Sequence, residues 1–332
     1  MPPLSPAIAT HATRSTMPDD RPLPRLPAEP LRRMDWPAVA PWLLLLRVPE
    51  AVAGWPMVVG GLAAAAIGSA AADAPLGPAR PWLVAAHVWS GVFNYREPSA
   101  WGVVAAVLWV AIGAAIIRIT ALRLTRAAGR GVFRSLLSGI RSTPSVLAAA
   151  ALLAAPAGLV AAVLWSLAAL TRLVGGPPLA EALAPLGFVF AAIPLAVLTL
   201  AAVVGLPIAL AATAVDGADA FDAASRAFAY ATQRVARLAW YAAIAAAVGL
   251  LTTTLLEAAL GLAAWLLAVV TGAEGMLREP TGWFARAAVR LARGYYPAYA
   301  FASFGAVYLL LRRDIDGQPI DELNQPAQSP AA

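Results

Sequence analysis

The chain contains no cysteine, no lysine and only two histidines, His11 and His87. Without cysteine there are no disulfides, no thiol chemistry and no cysteine-ligated metal. Two histidines cannot build a histidine metal site, and no metal or cofactor is expected. All 24 basic residues are arginine, beside abundant alanine, which reads as a coding bias rather than selection for guanidinium chemistry. The net charge of +6 therefore gives no reason to expect a nucleic-acid partner. Charge as a whole is scarce, 13% of residues, where a soluble domain carries about 25%.

Apolar length takes its place. Hydrophobic residues make up 61% of the chain and the mean hydropathy is +0.72, which marks a membrane protein. A helix crosses a hydrocarbon layer of about 30 Å in about 20 residues. Six stretches approach that length: Val52 to Ala72, Ala100 to Thr120, Val146 to Ala169, Leu186 to Thr213, Trp240 to Val270, and Ala298 to Leu311. Pro56, Pro156, Pro194 and Pro207 fall inside them, where each is expected to remove a backbone hydrogen bond and kink its helix. Residues 1–35 are rich in Pro, Ser, Thr and Arg without apolar periodicity, so a disordered tail is predicted there. The expected organisation is this tail, an integral membrane domain over residues 36–313, and a polar tail over 314–332. The fold class is all-α, a polytopic transmembrane helical bundle.

Arginine placement predicts orientation. Between Pro98 and Ala180 stand seven arginines and no acid. Six of them, Arg118, Arg123, Arg126, Arg130, Arg134 and Arg141, flank or fill one connector. With both termini cytoplasmic, 17 arginines lie inside and 7 outside, and the expected location is the bacterial cytoplasmic membrane. Each outward span is preceded by an amphipathic stretch: Trp36 to Arg47, Arg126 to Thr143, and Phe221 to Arg237. Those spans begin about 90 residues apart, a spacing that suggests three similar hairpins braced by interfacial helices.

The most distinctive segment is Val215 to Tyr230. Asp219 is placed to cap a helix, and Asp222 can pair with Arg226 one turn on. Phe221, Ala224, Phe228, Ala231 and Val235 form an apolar stripe opposed by Asp222, Arg226, Gln233 and Arg237, the pattern of an interfacial helix. A cation bound by Asp216, Asp219 and Asp222 is the alternative, but capping needs fewer assumptions. The closing Asp314-Ile315-Asp316-Gly317 fails as a calcium loop, since Arg312 and Leu323 stand where ligands are required.

Together with Ile117-Arg118-Ile119-Thr120-Ala121 and Tyr308 to Gly317, this segment resembles a group of uncharacterised bacterial multi-pass membrane proteins. These are similar in turn to the membrane domain of some glycerophosphodiester phosphodiesterases. The resemblance spans about Trp36 to Glu322 and implies an integral membrane protein. It carries no activity over, because the soluble phosphodiesterase domain with its His and Glu residues is not in this chain.

Few side chains invite chemistry. Glu257 is the single acid inside an apolar run and so a candidate functional group, although its distance from Trp240 along the helix, about 25 Å, predicts a position near the outer headgroups. Arg118 is expected to snorkel to water. Arg286, Arg290 and Arg293 share one face of a predicted external interfacial helix, with Trp283, Phe284, Ala287, Ala288 and Leu291 opposite. With Arg126, Arg130 and Arg134 they are the candidate contacts to anionic lipid headgroups. No catalytic constellation appears. The expected function is a non-enzymatic protein that organises the envelope or contacts lipid, with a membrane partner or a second copy of itself as possible company. The other reading is a transporter or channel for a hydrophobic or lipid-like cargo.

Overall fold

The computed structural model describes residues 40–67, 100–125, 132–174, 187–271 and 283–320, and among these there is no strand. A 3-10 helix, Pro41–Arg47, runs into α1, Val48–Val52. Next come α2, Trp55–Ile67, α3, Ala100–Leu124, and α4, Val132–Val174. A π turn, Phe188–Ala192, leads into α5, Ile193–Asp216, which is followed by α6, Ala220–Gln233, α7, Val235–Thr271, and α8, Trp283–Asp316.

Four apolar stretches are long enough to cross a membrane: Val107–Leu124 in α3, Phe133–Leu170 in α4, Phe190–Asp216 leading through α5, and Val235–Ala263 in α7. The bent pair Pro41–Val52 and Trp55–Gly61, with 69° between its halves, makes a fifth if counted as one span. Apart from a break in the first, the described parts of the six predicted runs fall on helices, but their limits differ. The first breaks at Ala53 and Gly54, where Gly54 takes φ +94° and Arg123 donates to Ala51 O at 2.9 Å and Ala53 O at 2.6 Å. The arginine thus caps the carbonyls that the bend frees.

Two predicted interfacial helices are not separate pieces. The stretch before the third run is continuous with it in α4, a helix of 43 residues that extends about 65 Å. The arginine-bearing segment Trp283 to Arg293 runs on through Pro297 into the last predicted span as the single helix α8. One proline sits differently from expectation: Pro56 stands in the first turn of α2, where no intrahelical bond is lost. Pro194 follows the π turn within one unbroken helical stretch. Pro144, Pro156, Pro207 and Pro297 also lie inside helices.

The core forms around α8, which packs on α1, α2, α3, α5 and α7. It runs parallel to α3, with Gly113 against Phe301 and Ile117 against Gly305. Glycine allows these approaches. A Cβ at Gly60 would lie 2.5 Å from Gly294 O, and one at Gly249 would lie 2.5 Å from the Tyr299 ring. Gly205 in α5 carries no such contact, since a Cβ there would meet Leu153 at an ordinary 3.5 Å.

Candidate functional site

The three segments that stand out in the sequence meet at one end of the bundle. Gly217, at φ +71°, closes α5 by donating its N–H to Thr213 O at 3.1 Å. Asp219 then caps α6 as predicted, its Oδ1 accepting the Asp222 N–H at 2.8 Å. This short turn leaves Asp216 at the carboxyl end of a helix, where the macrodipole opposes a negative charge by about 0.3–1 kcal/mol. The position is tolerable because of what surrounds it.

Asp216 accepts three donors. Arg312 Nη1 lies 2.7 Å from Oδ1, while Arg226 Nη1 at 3.0 Å and the Tyr308 hydroxyl at 2.5 Å both reach Oδ2. Arg226 also donates through Nε to Asp222 at 2.9 Å. Arg312 further donates to Gln318. Hydrogen bonds to charged groups contribute about 1.5–3 kcal/mol each, so the set outweighs the unfavourable dipole.

A second tier repeats the arrangement at the end of α8. Asp314 accepts from Arg237 Nη1 at 2.7 Å and from the Tyr241 hydroxyl at 2.7 Å. The Tyr230 hydroxyl donates to Asp316, and the Tyr230 and Tyr308 rings stand 5.9 Å apart. Burial, and after it the Asp316 carboxylate, pushes the Tyr230 hydroxyl well above the ordinary phenol range, so it keeps its proton. Burial works against the Arg226 charge, but its bonds to Asp222 and Tyr308 more than offset that and raise its pKa.

Arg118 differs from expectation: it donates to Ala214 O at 3.2 Å, at the carboxyl end of α5. The cation alternative fails, because guanidinium groups take the Asp216 carboxylate and a backbone N–H takes Asp219. Among the described residues no group of three His, Asp or Glu is placed to hold a metal. With its charges matched, this arrangement is suited to holding α5, α6, α7 and α8 together as a clasp.

Helix α6 packs on α5 and α4 through a face other than the predicted stripe. Ala223, Ala227 and Tyr230 are buried, and Ala224 with them, while Phe221, Phe228 and Val235 are left exposed. Small residues make the contact, so the aromatic rings remain available to another medium.

Glu257 lies away from the clasp on α7. It accepts the hydroxyl of Tyr296 on α8, and Tyr299, one turn further along α8, donates to Ala245 O at 2.7 Å. Of the candidate lipid contacts, Arg134 is exposed near the start of α4, and Arg126 and Arg130 lie outside the described residues. Arg286, Arg290 and Arg293 lie on the first turns of α8, with side chains outside the described part. Sequence reasoning missed the roles of Asp216, Tyr308, Arg312 and Tyr296. For the first three the one signal was acids in the last turns of helices, where a negative charge needs a partner; for Tyr296 there was none.

No protein-family model matches the chain, and neither a curated protein nor a solved structure does.

Proposed function

We propose that the chain is an integral protein of the bacterial cytoplasmic membrane, with both termini cytoplasmic, whose work is to organise the envelope or its lipids rather than to catalyse a reaction. The observation that carries this reading is the one-sided distribution of charge: the described ion pairs gather at the clasp, while α4, α5 and α7 turn Leu, Val, Phe and Trp side chains outward. A surface of that kind is matched to acyl chains. In this reading α2 and α8 complete six crossings in three hairpins. Helix α8 needs less apolar sequence than the others because protein, not lipid, surrounds it. Arg126, Arg130, Arg134, Arg286, Arg290 and Arg293 are the proposed contacts to anionic headgroups, and the resemblance to the phosphodiesterase membrane domain supports a membrane role without an activity.

Because the chain lacks native cysteine, single cysteines test the orientation directly. Gln233→Cys, at the clasp, is expected to resist an impermeant thiol reagent in intact cells, and Ala180→Cys to react. The opposite pattern overturns the orientation. A second reading, carriage of a hydrophobic or lipid-like cargo, is favoured by the Glu257–Tyr296 pair within the bundle.

A further inference from the structure

We propose that Glu257 is a proton-binding site inside the hydrocarbon, a carboxyl on the seam between α7 and α8 that takes up and releases a proton against Tyr296. Depth comes first. Glu257 is the only charged residue between Arg237 and Thr271. A crossing needs about 20 residues, and every stretch of that length within Leu238 to Thr271 contains Glu257. The helix cannot slide outward to free it, because Leu262, Trp265, Leu266, Val269 and Val270 beyond it are exposed in the single chain and require lipid.

The surroundings then decide what the carboxyl can do. An ionised carboxylate in hydrocarbon is costly, and a phenol hydrogen bond to the charged group returns part of that cost. The Tyr296 hydroxyl donates to Glu257. A hydroxyl is also an acceptor, so when the carboxylate gains a proton from water the acid O–H can donate back to the phenol oxygen. One hydrogen bond persists in both states, and no electron moves.

Among the described residues, the groups that face the site are few. On α7 itself, the Thr252, Thr253 and Thr254 hydroxyls are committed to the carbonyls of Val248, Gly249 and Leu250. Helix α8 brings Tyr295, Tyr296 and Tyr299, with Arg293 one turn before Tyr296 in the helix. Helix α2, which packs on α8, contains no charged residue. The 3-10 helix packed on α7 carries Arg47, which reaches Leu124 O at 3.5 Å. Of the other hydroxyls on these two helices, Tyr299 donates to Ala245 O, Ser303 is buried, and Tyr241 donates to Asp314.

The inference does not depend on which way the chain faces, so it stands or falls apart from the topology. The test is labelling of the full chain in phospholipid vesicles with dicyclohexylcarbodiimide, which enters lipid and adds to protonated carboxyls, followed by mass spectrometry. The expected result is an adduct at Glu257 that falls at least tenfold as the pH is raised and is not matched by a water-soluble carbodiimide. Tyr296→Phe is expected to move the pH at which labelling falls. Absence of the adduct at every pH, equal labelling by the water-soluble reagent, or superimposable profiles for wild type and Tyr296→Phe would each overturn the proposal. The wild-type chain gives the main result, so it does not depend on the folding of a variant.

Discussion

Helices α4 and α8 divide the work of the bundle in the opposite way to a soluble protein. Helix α4 is almost wholly apolar, yet only 17% of its best apolar window is buried, and Leu159, Trp165 and Leu173 are 68%, 75% and 84% exposed. Helix α8 carries tyrosines, arginines and aspartates, yet from Gly294 to Leu311 every residue but Phe304 is buried. In water the apolar helix would seek the centre. When the surrounding medium is as apolar as leucine, nothing drives α4 inward, and the centre falls to the helix whose hydroxyls and charges need partners.

The contrast is broken most severely at Asp216. Replacement by Ala leaves Arg312, whose side chain is 7% exposed, without the carboxylate at 2.7 Å, and removes one acceptor from Arg226 and from Tyr308 as well. Removing one partner of such a set costs about 3–5 kcal/mol. Asp216→Ala is expected to lower the melting temperature in detergent sharply, measured by loss of the monodisperse chromatographic peak after heating. An unchanged melting temperature would show that the clasp is not what holds α8.

A smaller effect is expected where α8 meets α7. A side chain at Gly249 enters the space of the Tyr299 ring, 2.5 Å from its Cε1, and overpacking of this kind costs about 1–3 kcal/mol. Gly249→Val is therefore expected to destabilise less than Asp216→Ala. It should also disturb the near-ultraviolet tyrosine signal directly, through the Tyr299 ring. A wild-type melting curve for Gly249→Val would mean that the seam is loose.

What could be read beforehand follows the range of each force. Apolar length is a local property, so the runs that became α3, α4, α5 and α7 were visible, as was the Asp219 cap, which acts over three residues. Helix limits were less visible. Pro144 beside Arg141 and Thr143 looks like a boundary, yet α4 runs through it, and the charges of Arg286, Arg290 and Arg293 look like a separate surface helix, yet they open α8. The clasp was out of reach because Arg312 and Asp216 are 96 positions apart. Only their setting was suggestive, an acid against a helix dipole and an arginine ending an apolar run. The Glu257 partner, 39 positions away, had no local mark at all.

The smallest expected effect bears most on what surrounds the molecule. Leu159→Ala removes a large side chain from the outward face of α4, and in a protein core this change costs about 2–5 kcal/mol. Here acyl chains or detergent replace the lost methyl groups, so no cavity remains and the transfer term nearly vanishes. The expected change is below about 0.5 kcal/mol, with Leu173→Ala alike, measured by the same melting assay. A loss of core size at either position would mean that this face is covered by protein, a second copy or another membrane protein. The apolar outside of α4 would then be an interface, and the contrast with α8 would narrow from lipid against protein to one protein contact against another.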